Sequence, residues 1–95
     1  MTKKELILEI ATKTNQTQKN VEEFLESFIK IVTKKISNDE KINISGFGMF
    51  VSIRKKARET TYWKTKEVFQ VPEQRVPKFK PSKTLKEAVA LKNNN

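Results

Sequence analysis

The sequence contains no cysteine and no histidine. The first absence rules out a disulfide and a thiolate metal site. The second removes the commonest transition-metal ligand and the usual general base. The carboxylates do not fill the gap. Glu22, Glu23 and Glu26 read as one solvated helix face and Asp39-Glu40 as a turn. No enzyme, cofactor or metal site is expected. No apolar run approaches the ~20 residues of a membrane span, and the N-terminus lacks a charged-then-apolar signal pattern. The expectation is an intracellular, cytoplasmic protein without a membrane partner. There are only two glycines, three prolines, one Trp and one Tyr, so each marks its position.

What the chain has in excess is positive charge. Its 95 residues suit one domain, 1–95, with a net charge of +9. Residues 1–45 hold 8 Lys against 7 acids, and residues 46–95 hold 12 Lys or Arg against 4 acids. Such asymmetry points to a polyanionic partner, most often nucleic acid. The stretch from Arg54 to Arg75 is basic at both ends and carries Tyr62 and Trp63 near its middle. It reads as a two-stranded arm. With the arm outside the core, about 70 residues are left to build one, enough for about 3–5 kcal/mol. Small folds of this size need a staple, and without Cys or His the staple left is self-association.

The elements follow from pattern. Thr2 and Glu5 form a capping box ahead of a helix to Thr14, with Leu6, Ile7, Ile10 and Ala11 on one face. Thr17 caps a second, longer helix. Its stripe of Val21, Phe24, Leu25, Phe28, Ile31, Val32 and Ile36, widened by Ile29, offers more apolar surface than the first helix can cover. Lys41 to Ser45 alternates as a short strand. Gly46-Phe47-Gly48 reads as a tight turn that buries Phe47; a phosphate loop would need more length and a following Lys-Ser/Thr. Met49 to Arg58 is a strand, 59–66 the arm tip, and Glu67 to Val71 a returning strand. Pro72 and Pro77 demote the next stretch to an edge strand or extended chain. Ser82 caps a final helix to residue 91 with Leu85, Ala88 and Val89 as its apolar face. Asn93 to Asn95 reads as a frayed tail. The order is α-α-β-β-β-α, an α+β fold. It divides into a helical segment over 1–40, strands and arm over 41–81 with the arm about 54–75, and a helix over 82–91.

At this point the chain resembles the HU/IHF family of bacterial DNA-bending proteins over essentially its whole length. The resemblance rests on the opening KKELI helix, on Ile44-Ser45-Gly46-Phe47-Gly48-Met49-Phe50, on Ala57-Arg58, and on the run from Val76 to Val89. It implies an intertwined homodimer, with two helical layers beneath a saddle of strands and two β-arms that embrace DNA in its minor groove. It also implies a nucleoid-associated, histone-like role in DNA condensation. The likeness breaks at the tip. HU-like arms carry Arg-Asn-Pro-x-Thr-Gly there, with the Pro as a wedge. Here the stretch is Thr61-Tyr62-Trp63-Lys64-Thr65-Lys66, with Trp63 at the Pro position and no glycine. Ile53 stands where a basic residue is common.

The candidate DNA contacts are Lys3, Arg54, Lys55, Lys56, Arg58, Arg75, Lys78, Lys80, Lys83 and Lys86, with Lys64 and Lys66 at the tip. Phosphate contacts give affinity without sequence information. With three arginines in the chain, and with Lys lacking the planar fork that reads guanine, little sequence specificity is expected. Trp63, with Tyr62, is the candidate wedge; the alternative is that the two rings pair across the arm strands. Phe24, Phe28, Phe47, Phe50 and Phe79 are assigned to the core and dimer interface. Three alternatives to duplex binding stay open: nicked or junction DNA, single strands or RNA, and a protein adaptor that adds a strand to its partner.

Overall fold

The computed structural model describes residues 1–93. Its elements are α1 (Lys3–Thr14), α2 (Gln18–Ser37), β1 (Ile42–Ile44), β2 (Gly48–Lys55), β3 (Arg58–Thr61), β4 (Val68–Val71), β5 (Gln74–Pro81) and α3 (Lys83–Asn93). They fall into two compact units. One is Met1–Lys34, and the other begins at Lys35, so it takes in the end of α2.

In the first unit the local signals act as their chemistry requires. Thr2 caps α1 by accepting from the Glu5 amide at 3.2 Å. Asn15 closes α1 in the left-handed region, φ 56°. Thr17 accepts from the Asn20 amide at 3.1 Å and opens α2. Ile7, Ala11 and Val21 form the core between the two helices, with Ile10 and Leu25 packed against it. Further along the α2 stripe Phe24 is 68 % exposed, Phe28, Ile29 and Ile31 are exposed too, and Val32 and Ile36 are half-buried.

The second unit is built on a three-stranded antiparallel sheet in the order β1-β2-β5. β2 pairs with β5 from Gly48↔Pro81 to Lys55↔Gln74. Pro77 therefore sits on an edge strand, where a missing N–H is tolerated. The Gly46-Phe47-Gly48 turn is present, with Gly46 at φ 81°. It also anchors the last helix, because the Ser82 amide donates to the Phe47 carbonyl at 2.9 Å and the Ser82 hydroxyl accepts from the Leu85 amide at 3.1 Å. Phe79 packs between Phe47 and Phe50, with ring centroids 5.1 and 5.0 Å away.

Several expectations need correction. The turn does not bury Phe47, which is 44 % exposed although its ring meets Phe79. The strand expected from Met49 to Arg58 stops at Lys55 and resumes as β3, and its return is likewise split into β4 and β5. The cause is Pro72, which cannot donate to a ladder. Pro72-Glu73 and Lys56-Ala57 both fall between strands, so the arm is a separate two-stranded sheet, β3-β4. Residues 59–61 belong to β3 rather than to the tip. α3 runs on to Asn93, so Asn93 is not tail; Asn94 and Asn95 lie outside the described residues. Val89, assigned to the apolar face expected for α3, is exposed, and so is Leu91.

Candidate nucleic-acid interface

The arm begins where the body sheet ends. β3 and β4 pair from Arg58↔Val71 to Thr61↔Val68. The Tyr62 amide extends the ladder by donating to the Glu67 carbonyl at 2.9 Å. Residues 63–65 make the turn, closed by the Lys66 amide on the Tyr62 carbonyl at 2.7 Å. Lys66 has φ 58°. The hairpin thus keeps the left-handed residue that a glycine would take, and a lysine adopts it at a cost of about 1 kcal/mol. Nothing in local sequence signalled this, because Lys is not a left-handed residue by preference.

Directly paired residues share a face of a strand pair. One face of the arm therefore carries Arg58, Thr60, Phe69 and Val71, continued by Tyr62. The other carries Glu59 and Gln70, joined by a 2.9 Å hydrogen bond. Phe69 is 48 % and Tyr62 45 % exposed. Trp63 is 77 % exposed at the tip, with the Lys64 ammonium 5.3 Å from its ring centre, a cation–π contact. A ring that open is not packed across the arm, so it is not what holds the hairpin together.

In the body sheet the same pairing rule separates the basic residues. Lys55, Lys78 and Lys80 share a face with Met49, Val51, Ile53 and Val76. Arg54 and Arg75 lie on the opposite face, with Phe50, Ser52, Pro77 and Phe79. All the candidate cations are exposed, yet several already have acidic partners. Lys3 meets Glu26 at 3.4 Å, Arg54 meets Glu73 at 3.5 Å and Lys83 meets Glu87 at 3.8 Å. These pairs are open to water and worth about 0–1 kcal/mol, so each can exchange for phosphate. Arg75 is different. It is held by Asp39 at 2.6 Å and by the carbonyls of Ile36 and Ser37. Arg75 is a candidate phosphate contact by its charge, and its partner Asp39 lies 36 residues away along the chain. Among the described residues no group of acids is placed to hold a metal ion, and no helix is long and apolar enough to cross a membrane.

A helix pair followed by an antiparallel sheet, from which a two-stranded hairpin continues, matches a known architecture. The family model for bacterial DNA-binding proteins covers residues 1–90. The chain belongs to that family. Among its relatives, the DNA-binding protein HU of Thermotoga maritima is 40 % identical over 94 % of this chain and 99 % of its own. That of Lactococcus lactis is 38 % identical over 92 % and 96 %. An Anabaena HU–DNA cocrystal structure superposes with a TM-score of 0.88 at 36 % identity, covering 95 % of this chain and 98 % of that one. The α+β fold and the likeness inferred from the GFG turn and the Val76–Val89 run therefore stand. The aromatic tip is where this member departs from the HU-like arm pattern.

Proposed function

We propose that the chain is a non-enzymatic architectural protein of the nucleoid. It binds duplex DNA in the minor groove with little sequence specificity and bends it, and it acts as a homodimer. The observation that carries the reading is the arm: a hairpin that continues from a sheet edged with Arg54 and Lys55, with Lys64, Lys66 and a 77 % exposed Trp63 at its end, in a family named for DNA binding. Phosphates meet Lys55, Lys78 and Lys80 on one sheet face, and Lys83 and Lys86 on α3. Each contact made steepens the salt dependence by about 0.9 in log–log slope. At the tip, Trp63 supplies apolar bulk that unstacks a base step. Wedges of this kind kink duplexes by roughly 20–90°. Tyr62 and Phe69, on the arm face away from Glu59, line the groove wall.

Dimerisation accounts for the uncovered apolar surface. Phe24 and Leu25 line an open apolar depression of about 530 Å³ with Ile10, Thr14, Gln16 and Val21. Burying Phe24, Phe28 and Phe47 against a second chain supplies the core that one chain lacks.

The test is a bend measurement by energy transfer between end-labelled dyes, on linear and nicked duplex, for the wild type and Trp63→Ala. The wild type bends both, and the variant binds nearly as well but bends less. Competition at fixed salt ranks duplex and nicked duplex above single strands and RNA. Binding that vanishes at physiological salt points instead to a protein adaptor.

A further inference from the structure

The arm meets the body at Arg75. This is the second residue of β5, just past the Pro72-Glu73 break where the arm sheet ends. Its Nη1 donates to the Ser37 carbonyl at 3.0 Å. Its Nη2 shares two N–H groups among the Ile36 carbonyl at 3.1 Å, the Asp39 carboxylate at 2.6 Å and the Ser52 hydroxyl at 3.1 Å. The Ser52 hydroxyl in turn donates to Asp39 at 3.2 Å. Ile36 and Ser37 belong to the last turn of α2, where the helix dipole favours a cation. Asp39 sits just beyond, in the left-handed region at φ 63°, with its carboxylate on the same guanidinium. A planar fork can serve this many acceptors at once; an ammonium cannot. The site also lies on the sheet face opposite Lys55, Lys78 and Lys80.

We propose that Arg75 is a positioning residue. It pins the root of the arm to the end of α2, and it contributes to DNA binding by fixing the arm's direction rather than by touching phosphate. The Arg75–Asp39 ion pair is half open to water and adds little by its charge alone. Its value is geometric. An arm fixed before binding loses less freedom when it enters the groove. The proposal rests on the DNA-binding reading above, and its test separates the two.

Arg75→Ala, Arg75→Lys, Asp39→Ala and the double alanine variant are compared in the full chain, with circular dichroism confirming fold. Two readouts are taken: the anisotropy of Trp63, the sole Trp, without DNA, and the salt dependence of duplex binding. With a clamp, every variant lowers the anisotropy, Arg75→Lys included. Duplex affinity falls while the log–log slope stays as in the wild type, and the double variant is no worse than either single. Asp39→Ala is the sharpest of the comparisons. Removing an acid favours DNA on charge alone, so a loss of affinity is the signature of a clamp. The opposite pattern overturns the proposal. Arg75→Ala then lowers the slope by about 0.9, Asp39→Ala tightens binding, Arg75→Lys behaves as wild type and the anisotropy does not move. If the alanine variant fails to fold, Arg75→Lys and Asp39→Asn decide by the same two readouts. If the wild type does not bind duplex, the functional reading fails, and the anisotropy series still judges the clamp.

Discussion

Gly48→Ala is the substitution whose cost can be worked most directly from the structure. A Cβ at residue 48 would lie 2.5 and 2.6 Å from Cζ and Cε1 of Phe79 and 2.7 Å from the Lys80 carbonyl oxygen. Carbon atoms in good contact sit about 3.5–4.0 Å apart, so the overlap is close to 1 Å. Relief by movement is limited. The Phe79 ring is flanked by Phe47 and Phe50. The Lys80 oxygen belongs to β5, which is paired to β2 along its length. Overpacking of this kind costs about 1–3 kcal/mol, and the backbone contact favours the upper half of that range. For a domain of this size each kcal/mol moves Tm by about 4–8 °C, so a fall of about 10 °C or more is expected. Gly46→Ala is the control. Its Cβ meets nothing within 4 Å, and the cost is the positive φ alone, about 1 kcal/mol. The assay is thermal unfolding by circular dichroism at one fixed protein concentration, since association makes Tm concentration-dependent. The reasoning is refuted if Gly48→Ala melts within about 2–3 °C of wild type, well short of the shift expected from overpacking, or if Gly46→Ala is the more damaging of the two.

Lys66→Gly should slow hydrogen exchange at the Tyr62 and Lys66 amides, because the left-handed turn loses a strain of about 1 kcal/mol; faster exchange would mean that the turn does not constrain the hairpin. Titration with duplex DNA should quench or shift Trp63 emission, and unchanged emission at saturation would remove the wedge. Phe24→Asp should shift sedimentation towards the monomer and lower stability, by placing a charge where a second chain is expected to pack; an unchanged mass would put the dimer contact elsewhere. Lys83→Ala with Lys86→Ala should lower the salt slope by about 1.8 if both touch phosphate, and an unaltered slope would leave α3 out of the interface.

Features set by a few neighbouring residues were legible in the sequence. Thr2, Thr17 and Ser82 announced three helix starts because a hydroxyl acts on an amide three residues away. The GFG turn was legible because Gly46 and Gly48 are the only glycines in the chain. What escaped was set by distant partners. Pro72 was legible as a break in its own strand, but the matching break at Lys56-Ala57 exists only because the two segments face each other across the hairpin. Arg75 looked like any other exposed cation until the chain brought Asp39 and the end of α2 to it. Lys66 in a left-handed turn has no signature of its own. The exposure of Phe47 depends on what a single chain can supply, which no local pattern states.

The near absence of a private core reaches beyond stability. Among the described residues the buried hydrophobics of one chain amount to Ile7, Ala11, Val21 and Val51. In the proposed dimer, folding is therefore a bimolecular event, and each tenfold dilution removes about 1.4 kcal/mol from it. Gene dosage then becomes a structural variable, since a cell making less of this chain makes a weaker fold. Partner choice is equally affected. In such a dimer, chains that complete each other's interior swap subunits only by largely unfolding, so exchange with a related chain runs at the rate of unfolding and quickens wherever the fold is weakened.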